Sequence, residues 1–373
     1  MPGPGRDYVG GVAFKLPFGT IYAPNITPDK ETGIGTWSDA DFVRAMHRGV
    51  SKSGHMLYPA FPYAAYALMR TDDVLAIKAF LFSLPPVHAP TPKNAVKFPF
   101  NQTYLLRAWR LLFVPGRKFK PDPSQSPQWN RGNYLVEALG HCGECHTPRN
   151  LLYGLDKSRK FAGATTQGWK AYNISSDRKA GLGNWSDAQI VDYLASGHAP
   201  GRGSAGGTMA EAVEHSLRHL TSQDIQAIVA YLRSVPPQQA GARAVIATDP
   251  PAAKASSAYA SAPQENPKLA LGLHIFQDAC ASCHGFNGRG LQTKDADLLG
   301  SHSVNDPQGT NLMAAVLNGT SLTTSLGSAD MPSFGQAYSN TEIAALSNYV
   351  IRHFGGKTAA ITPSDVANAR KSQ

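Results

Sequence analysis

The chain reads as an all-α protein built from short helices in repeated units, and three observations predict this. One helical plan recurs at residues 72–86 (DDVLAIKAFLFSLPP), 223–237 (QDIQAIVAYLRSVPP) and, more loosely, 341–355 (TEIAALSNYVIRHFG). Each copy has an acid in its first turn, apolar residues at helical spacing and a Pro-Pro or Gly stop. A longer block also repeats in register: NITPDKETGIGTWSDADF begins at Asn25 and NISSDRKAGLGNWSDAQI at Asn173, and Trp37 and Trp185 each follow 12 positions later. Finally, 35 Gly and 27 Pro in 373 residues favour short elements and loops over a bundle of long helices.

The elements follow in order. Residues 1–89 hold the first Asn block and the first terminal helix. Residues 90–125 form a bridge with one helix inside TYLLRAWRLLFV (103–114). The second unit, 126–238, starts with a leading helix over 131–142 (RGNYLVEALGHC) and ends with its own terminal helix. Residues 239–266, rich in Ala, Pro and Ser, read as a linker. The third unit, 267–358, has a leading helix over 269–280 (LALGLHIFQDAC), and 359–373 reads as a polar tail with no anchor.

Bulk properties narrow the function classes. Hydrophobic residues make up 42% of the chain, enough for the cores of about two or three domains. The formal charge is +9, but the Lys and Arg residues are scattered and carboxylate-bearing ligands would offset part of it, so nucleic-acid binding is not predicted. No apolar run reaches the roughly 18–20 residues of a membrane span. The most apolar stretch, 103–114, is too short and carries Arg107 and Arg110.

All four cysteines fall in two Cys-x-x-Cys-His motifs: Cys142, Cys145 and His146, then Cys280, Cys283 and His284. Two thiols at this spacing can each add across a vinyl group of one porphyrin, and the adjacent imidazole then lies under the iron as fifth ligand. A zinc site would want its cysteine pairs about 15–20 residues apart, and here well over a hundred intervene. A thioredoxin-type pair would expect a β-α-β neighbourhood, which a helical chain lacks. Two covalent haems c are therefore expected.

The sixth ligand decides what such an iron does: a thioether makes a closed electron carrier, an open position invites catalysis. Met331 follows His284 by 47 positions in SADMPSFG, with Pro332 stiffening the loop, and Met209 follows His146 by 63 in GGTMAEAV. Methionine is often core filler. Both of these precede a terminal helix in Gly- or Ser-rich sequence, which favours ligation, whereas Met313 lies on a helical pattern and reads as core. His141 abuts Cys142 and is sterically awkward as a ligand to the same iron. His198, His215, His219 and His302 read as surface or propionate-side residues. GFNGRG (285–290) follows no strand and so is no nucleotide loop, and Arg289 within it is a candidate propionate contact. Trp37 and Trp185 read as matched core aromatics near the haem pocket.

With these residues in hand, the chain resembles the multihaem cytochrome c subunits of bacterial membrane-associated dehydrogenases, which oxidise alcohols, gluconate, sugars or aldehydes. The likeness rests on GTIYAPNITPDKETGIGTWSDADF, LYPAFPY, FPFNQTYLLRAWRLLF, WNRGNYLVEALGHCGECHTPRN and CASCHG, and covers nearly the whole chain. It implies tandem cytochrome c domains on the periplasmic face of the bacterial inner membrane, peripherally attached. Electrons would arrive from a dehydrogenase catalytic subunit and leave toward ubiquinone or a terminal oxidase. Carried over by position, Cys142, Cys145 and His146 match the family's second haem site, and Cys280, Cys283 and His284 its third. A dihaem peroxidase-like enzyme is the alternative. It needs one iron open to peroxide, and methionine candidates in both units argue against it.

The sequence departs from the family in its first unit, which has no Cys-x-x-Cys-His and carries Phe61 where the family often has methionine. Met56 and Met69 are the nearby substitutes. The family's carboxy-terminal amphipathic membrane segment is not evident after Gly356. Cys142 precedes FAGA (161–164) by 19 positions, and the matching YVGG starts at Tyr8, so an equivalent cysteine would fall before residue 1. No signal peptide is visible at Met1. Both absences fit one expectation: a natural product starting upstream and carrying three haems, of which this chain holds two.

Overall fold

Serines set the start of three helices, two that follow the Asn blocks and the last of the repeated helices. Ser38, Ser186 and Ser339 cap helices Asp39–Arg48, Asp187–Ser196 and Asn340–His353, and each capping side chain is answered three residues on by Asp41, Gln189 or Glu342. These boxes belong to a computed structural model that describes residues 7–116, 118–238, 269–324 and 327–372. The linker expected at 239–266 lies outside the described residues. The chain divides into two compact units, Met1–Glu144 with Arg149–Leu155, and Cys145–Pro148 with Asp156–Gln373.

In the first unit, β1 (Ala13–Leu16), β2 (Gly19–Tyr22) and β3 (Ala95–Val96) form an antiparallel sheet. Helices α1 (Asp39–Arg48), α2 (Tyr63–Tyr66) and α3 (Thr71–Ser83) follow the repeat block, and α4 (Leu106–Phe113) is the bridge helix. Helix α5 (Pro127–Tyr134) runs into a π-helical turn at Leu135–Leu139. The core gathers Ile34, Phe42, Met46, Met69, Val74 and Leu81 with Tyr134 and Ala138. A short helix, α6 (Gly143–His146), carries the first cysteine motif.

The second unit contains hairpins β4–β5 (Ala164–Thr166, Trp169–Ala171) and β6–β7 (His198–Ala199, Gly203–Ser204), with helices α7 (Asp187–Ser196), α8 (Thr208–His215) and α9 (Ser222–Ser234). Its later part contains α10 (Ala270–Ile275), a π-helical turn at Phe276–Cys280, α11 (Ala281–His284), α12 (His302–Asn305) and α13 (Thr310–Asn318). Hairpin β8–β9 (Thr320–Thr324, Gly327–Met331), α14 (Asn340–His353) and α15 (Pro363–Lys371) complete it. The leading helix crosses α14 at Gly272, where an added Cβ would lie 2.2 Å from the Ala345 carbonyl oxygen. That crossing fixes the start of the second cysteine motif against a core of Leu273, Phe276, Ile343, Leu346, Tyr349 and Ile351.

Two expectations need correction. The chain is predominantly helical rather than strictly all-α, because short hairpins interrupt the helices. Each strand has two to five residues, too few for a period-two pattern to emerge. The tail is also anchored. Val366 and Ile361 are buried in the core beneath α14, Asn348 exchanges two hydrogen bonds with the Ile361 backbone, and Arg370 donates to the carbonyls of Gly335 and Tyr338. Its two large apolar residues, Ile361 and Val366, stand apart in sequence but both pack inward.

The Asn blocks fold alike. Asn25 Oδ1 accepts from the Thr27 amide and hydroxyl at 2.9 and 2.8 Å, and Asn173 Oδ1 accepts from the same groups of Ser175 at 2.8 and 2.7 Å. The amide nitrogens donate to Val87 O (2.8 Å) and Gln238 O (2.9 Å), each the residue after a Pro-Pro stop. Asn173→Ala removes three bonds at a buried site, so about 2–3 kcal/mol of stability should be lost. Urea unfolding of the variant measures it, and a loss below about 0.5 kcal/mol would show the clamp to be idle.

Candidate haem sites

Each cysteine motif follows a π-helical turn. The widened turn is closed by Gly140 N to Leu135 O (2.6 Å) in one case and by the Ala281 amide to Phe276 O in the other. Such turns insert an extra residue into a helix and recur at functional sites. Here they end the leading helix at the first cysteine: the Cys142 amide bonds back to Val136 O at 3.0 Å, and Cys280 is the last residue of its turn. All four cysteines are partly exposed. Burial, with Cys283 nearby, pushes the Cys280 thiol up to about 11, so it stays protonated at neutral pH.

The two histidines are held the same way. His146 Nδ1 lies 2.6 Å from the Tyr172 carbonyl oxygen and His284 Nδ1 2.7 Å from that of Ala296. A carbonyl can only accept, so Nδ1 carries the proton in both rings and Nε2 is left as a bare lone pair. That is the tautomer and orientation a metal-bound imidazole needs. Burial lowers both histidine pKa values, which keeps Nε2 available at neutral pH.

Loops behind the rings complete each seat. Gly163 N donates to His146 O (2.8 Å), and Gly290 N donates to His284 O (2.9 Å). Gly163 has φ +89°, and a Cβ there would meet Ala171 O and Asn173 N at 2.9 and 3.0 Å, so only glycine lets this loop reach the Tyr172 segment. GFNGRG folds back onto His284 in the same sense, while the Arg289 side chain is exposed.

The methionines occupy ordered elements rather than the loops expected. Met209 is the second residue of α8 and packs beside Ala205, Ala210, Val213 and Leu322. Met331 ends β9, paired with Thr320, and flanks the same core as Cys280. Met313 is buried within that core, as its helical pattern predicts. In the first unit Met69 is fully buried and Met56 nearly so. Phe61 stacks edge-on against Tyr66, and Tyr66 against His141, so aromatic rings occupy this region. His215 and His219 are exposed, and His198 bonds Ser204 Oγ at 2.9 Å.

Sequence reasoning missed the polar contacts that join the two motif-bearing halves of the second unit. Lys170 Nζ pairs with the fully buried Asp306 at 2.9 Å, and Asn311 exchanges hydrogen bonds of 2.7 and 3.0 Å with the Lys170 backbone. Arg218 donates to Thr323 O at 2.6 Å, and Ser204 Oγ to Asp295 O at 3.0 Å. These partners lie some 90 to 140 positions apart in sequence, beyond any local signal.

The donor set fits haem c: two thiols and one imidazole with a bare Nε2, twice. Among the described residues no group of three or more His, Cys, Asp or Glu could hold a metal ion by itself, so the two cysteine pairs do not converge into one cage. No helix among them is long and apolar enough to cross a membrane.

Comparison with known proteins agrees. Residues 130–236 match the family model "Cytochrome c", and 267–350 match "Cytochrome C oxidase, cbb3-type, subunit III". The chain is 36% identical to the fructose dehydrogenase cytochrome subunit of Gluconobacter japonicus, across 98% of this chain and 78% of that one. It is 35% identical to the gluconate 2-dehydrogenase cytochrome c subunit of Pantoea cypripedii, across 99% and 85%. A diheme cytochrome c-type protein of Cereibacter sphaeroides is 43% identical across 61% of this chain and 75% of its own. Relatives at this identity, matched along nearly the whole chain, settle the family: the protein belongs to the cytochrome c subunits of dehydrogenase complexes.

Proposed function

We propose that this chain carries two haems c and relays electrons from a dehydrogenase catalytic subunit toward ubiquinone or a terminal oxidase. It does so in the periplasm, held peripherally at the inner membrane. The observation that carries the reading is the matched pair of histidines, each with Nδ1 committed to a backbone carbonyl directly behind a Cys-x-x-Cys. When bound, haem c supplies a one-electron iron couple. The chain's own groups do the rest. Cys142 and Cys145, and Cys280 and Cys283, would tether the porphyrins, and His146 and His284 would hold the iron through Nε2. Met209 and Met331 would each add a thioether, which would close the iron to small ligands and favour its reduced form. A chain with both positions closed has no substrate chemistry of its own, in keeping with its family.

The test is a pyridine haemochrome count with oxidised and reduced visible spectra. Two haems per chain, low-spin and with a methionine-to-iron charge-transfer band, support the relay. A persistent high-spin fraction would favour a peroxidase-like enzyme, and absence of a Soret band would end the haem reading.

The site for the catalytic subunit is proposed on the bridge. Trp109 and Phe113 do not serve it, because Trp109 packs edge-on to Tyr63 and donates to Leu152 O, and Phe113 lies against Trp109. The outward face instead holds Tyr104, Leu111 and Leu112, at 64%, 78% and 65% exposure, with Phe98 at 78% and Leu151 at 99%. Large exposed apolar groups gathered on and around one element mark interaction surfaces when they adjoin. Leu111→Asp with Leu112→Asp should weaken co-purification with the dehydrogenase at least tenfold while leaving haem content unchanged. Undiminished co-purification would remove this face from the docking surface.

A further inference from the structure

Among the described residues of the second unit, several polar atoms are sealed from solvent without a hydrogen-bond partner, and three of them are borne on rings: Trp185 Nε1, Tyr172 Oη and His302 Nε2. They sit on rings that share one pocket. The His302 ring is 4.9 Å from Tyr172 and 5.6 Å from Trp185, centroid to centroid. A buried polar atom left without a partner is destabilising, so three together point to a partner that belongs between them.

The chemistry of that partner can be read from its surroundings. An indole N–H only donates, so the partner accepts. Two cations border the pocket: the Arg202 guanidinium lies over Trp185 at 5.5 Å, and Lys170 Nζ over Tyr172 at 5.6 Å. Burial first, then Arg202 and Lys170, push the His302 pKa down to about 4, so its imidazole is neutral at pH 7 and offers one N–H. The Tyr172 phenol carries a hydroxyl that can donate. Three donors beside the Arg202 guanidinium suit a carboxylate, Lys170 being already paired with Asp306. Tyr172 is also the residue whose carbonyl orients His146, so this carboxylate sits beside the proposed iron ligand.

The first repeat supplies an internal control. With Asn25 aligned on Asn173 and Trp37 on Trp185, Pro24 stands where the second repeat has Tyr172, and Gly54 where it has Arg202. The first repeat therefore lacks the Tyr and Arg of this pocket.

We propose that Tyr172, Trp185 and His302 form a carboxylate pocket for a propionate of the haem tethered at Cys142 and Cys145. His302 is a positioning residue reaching in from the neighbouring cytochrome domain. The proposal rests on the reading that a haem is attached at Cys142 and Cys145. His302 opens α12 in the region matched at 267–350, whereas Tyr172 and Trp185 lie in that matched at 130–236. One domain thus sets the charge balance at the other domain's haem. Withdrawing a donor leaves the propionate charge less offset, which favours ferric iron and lowers the midpoint potential.

Two variants of the whole protein test this. His302→Phe keeps a ring against Tyr172 and Trp185 but loses the donor, and His302→Gln keeps a donor. Haemochrome counts come first. Fewer than two haems per wild-type chain would overturn the underlying reading and this proposal together, and that count is independent of the variants. With two haems present, His302→Phe should shift the propionate-bending band in resonance Raman spectra and lower one of the two midpoint potentials. Trp185→Phe should move the same component, and His302→Gln should stay close to wild type. Unchanged bands and potentials in His302→Phe would overturn the proposal. So would a His302→Gln shift as large as that of His302→Phe, since ring shape rather than donation would then be responsible.

Discussion

On the proposed reading, Met331→Ala should open the haem held at Cys280 and Cys283 to small ligands, with about one carbon monoxide bound per chain and a lowered midpoint potential. Thioether ligation favours reduced iron, and alanine supplies no replacement. Met331 ends β9 and flanks the core that also borders Cys280, so truncation should cost about 1–3 kcal/mol in packing as well. That is too little to unfold a domain with this core, so the spectroscopic change can be read on folded protein. Carbon monoxide difference spectra and a redox titration decide it. An unchanged potential with no carbon monoxide bound would rule Met331 out as a ligand. Met209→Ala is the corresponding test of the other haem.

Asp306→Ala should loosen the contact between the two cytochrome domains. The Asp306 side chain is 0% exposed and its partner Lys170 20%, so deleting the carboxylate strands a largely buried ammonium. Breaking such a pair costs about 3–5 kcal/mol when both partners are fully enclosed, and the part-exposed lysine places this case near the lower figure. Calorimetry should show a lowered or split transition, and flash-initiated electron transfer between the haems should slow at least tenfold. Lys170→Met combined with Asp306→Leu should recover much of the stability, because no unpaired charge is left behind. If Asp306→Ala leaves both transition and rate unchanged, the pair does not hold the domains together.

The sequence carried the repeats, the helices and both haem motifs because each is written within a few tens of residues. Capping serines, Pro-Pro stops and Cys-x-x-Cys-His are all local grammar. The Asn25 and Asn173 blocks fold alike because the short polar residue two positions on closes the same turn. What stayed illegible is long-range. Nothing near His302 announces Tyr172 or Trp185, and nothing near Asp306 announces Lys170, 136 positions earlier. Trp185 read as a plain core aromatic because burial and periodicity say nothing of an unpartnered N–H. The anchored tail failed for another reason: Ile361, Val366 and Arg370 are spaced too sparsely to look like a packed helix until α14 lies beside them.

The Asn clamps bear on how such chains lengthen and shorten over evolutionary time. Asn25 is fastened to a carbonyl 62 positions later and Asn173 to one 65 later, so each stretch of chain leaves close to the point at which it enters. A segment whose two ends meet can be copied, lost or exchanged by recombination without redirecting the chain on either side. Beads of this kind can diverge separately, each changing its own surface and loops while the chain before and after it keeps its course.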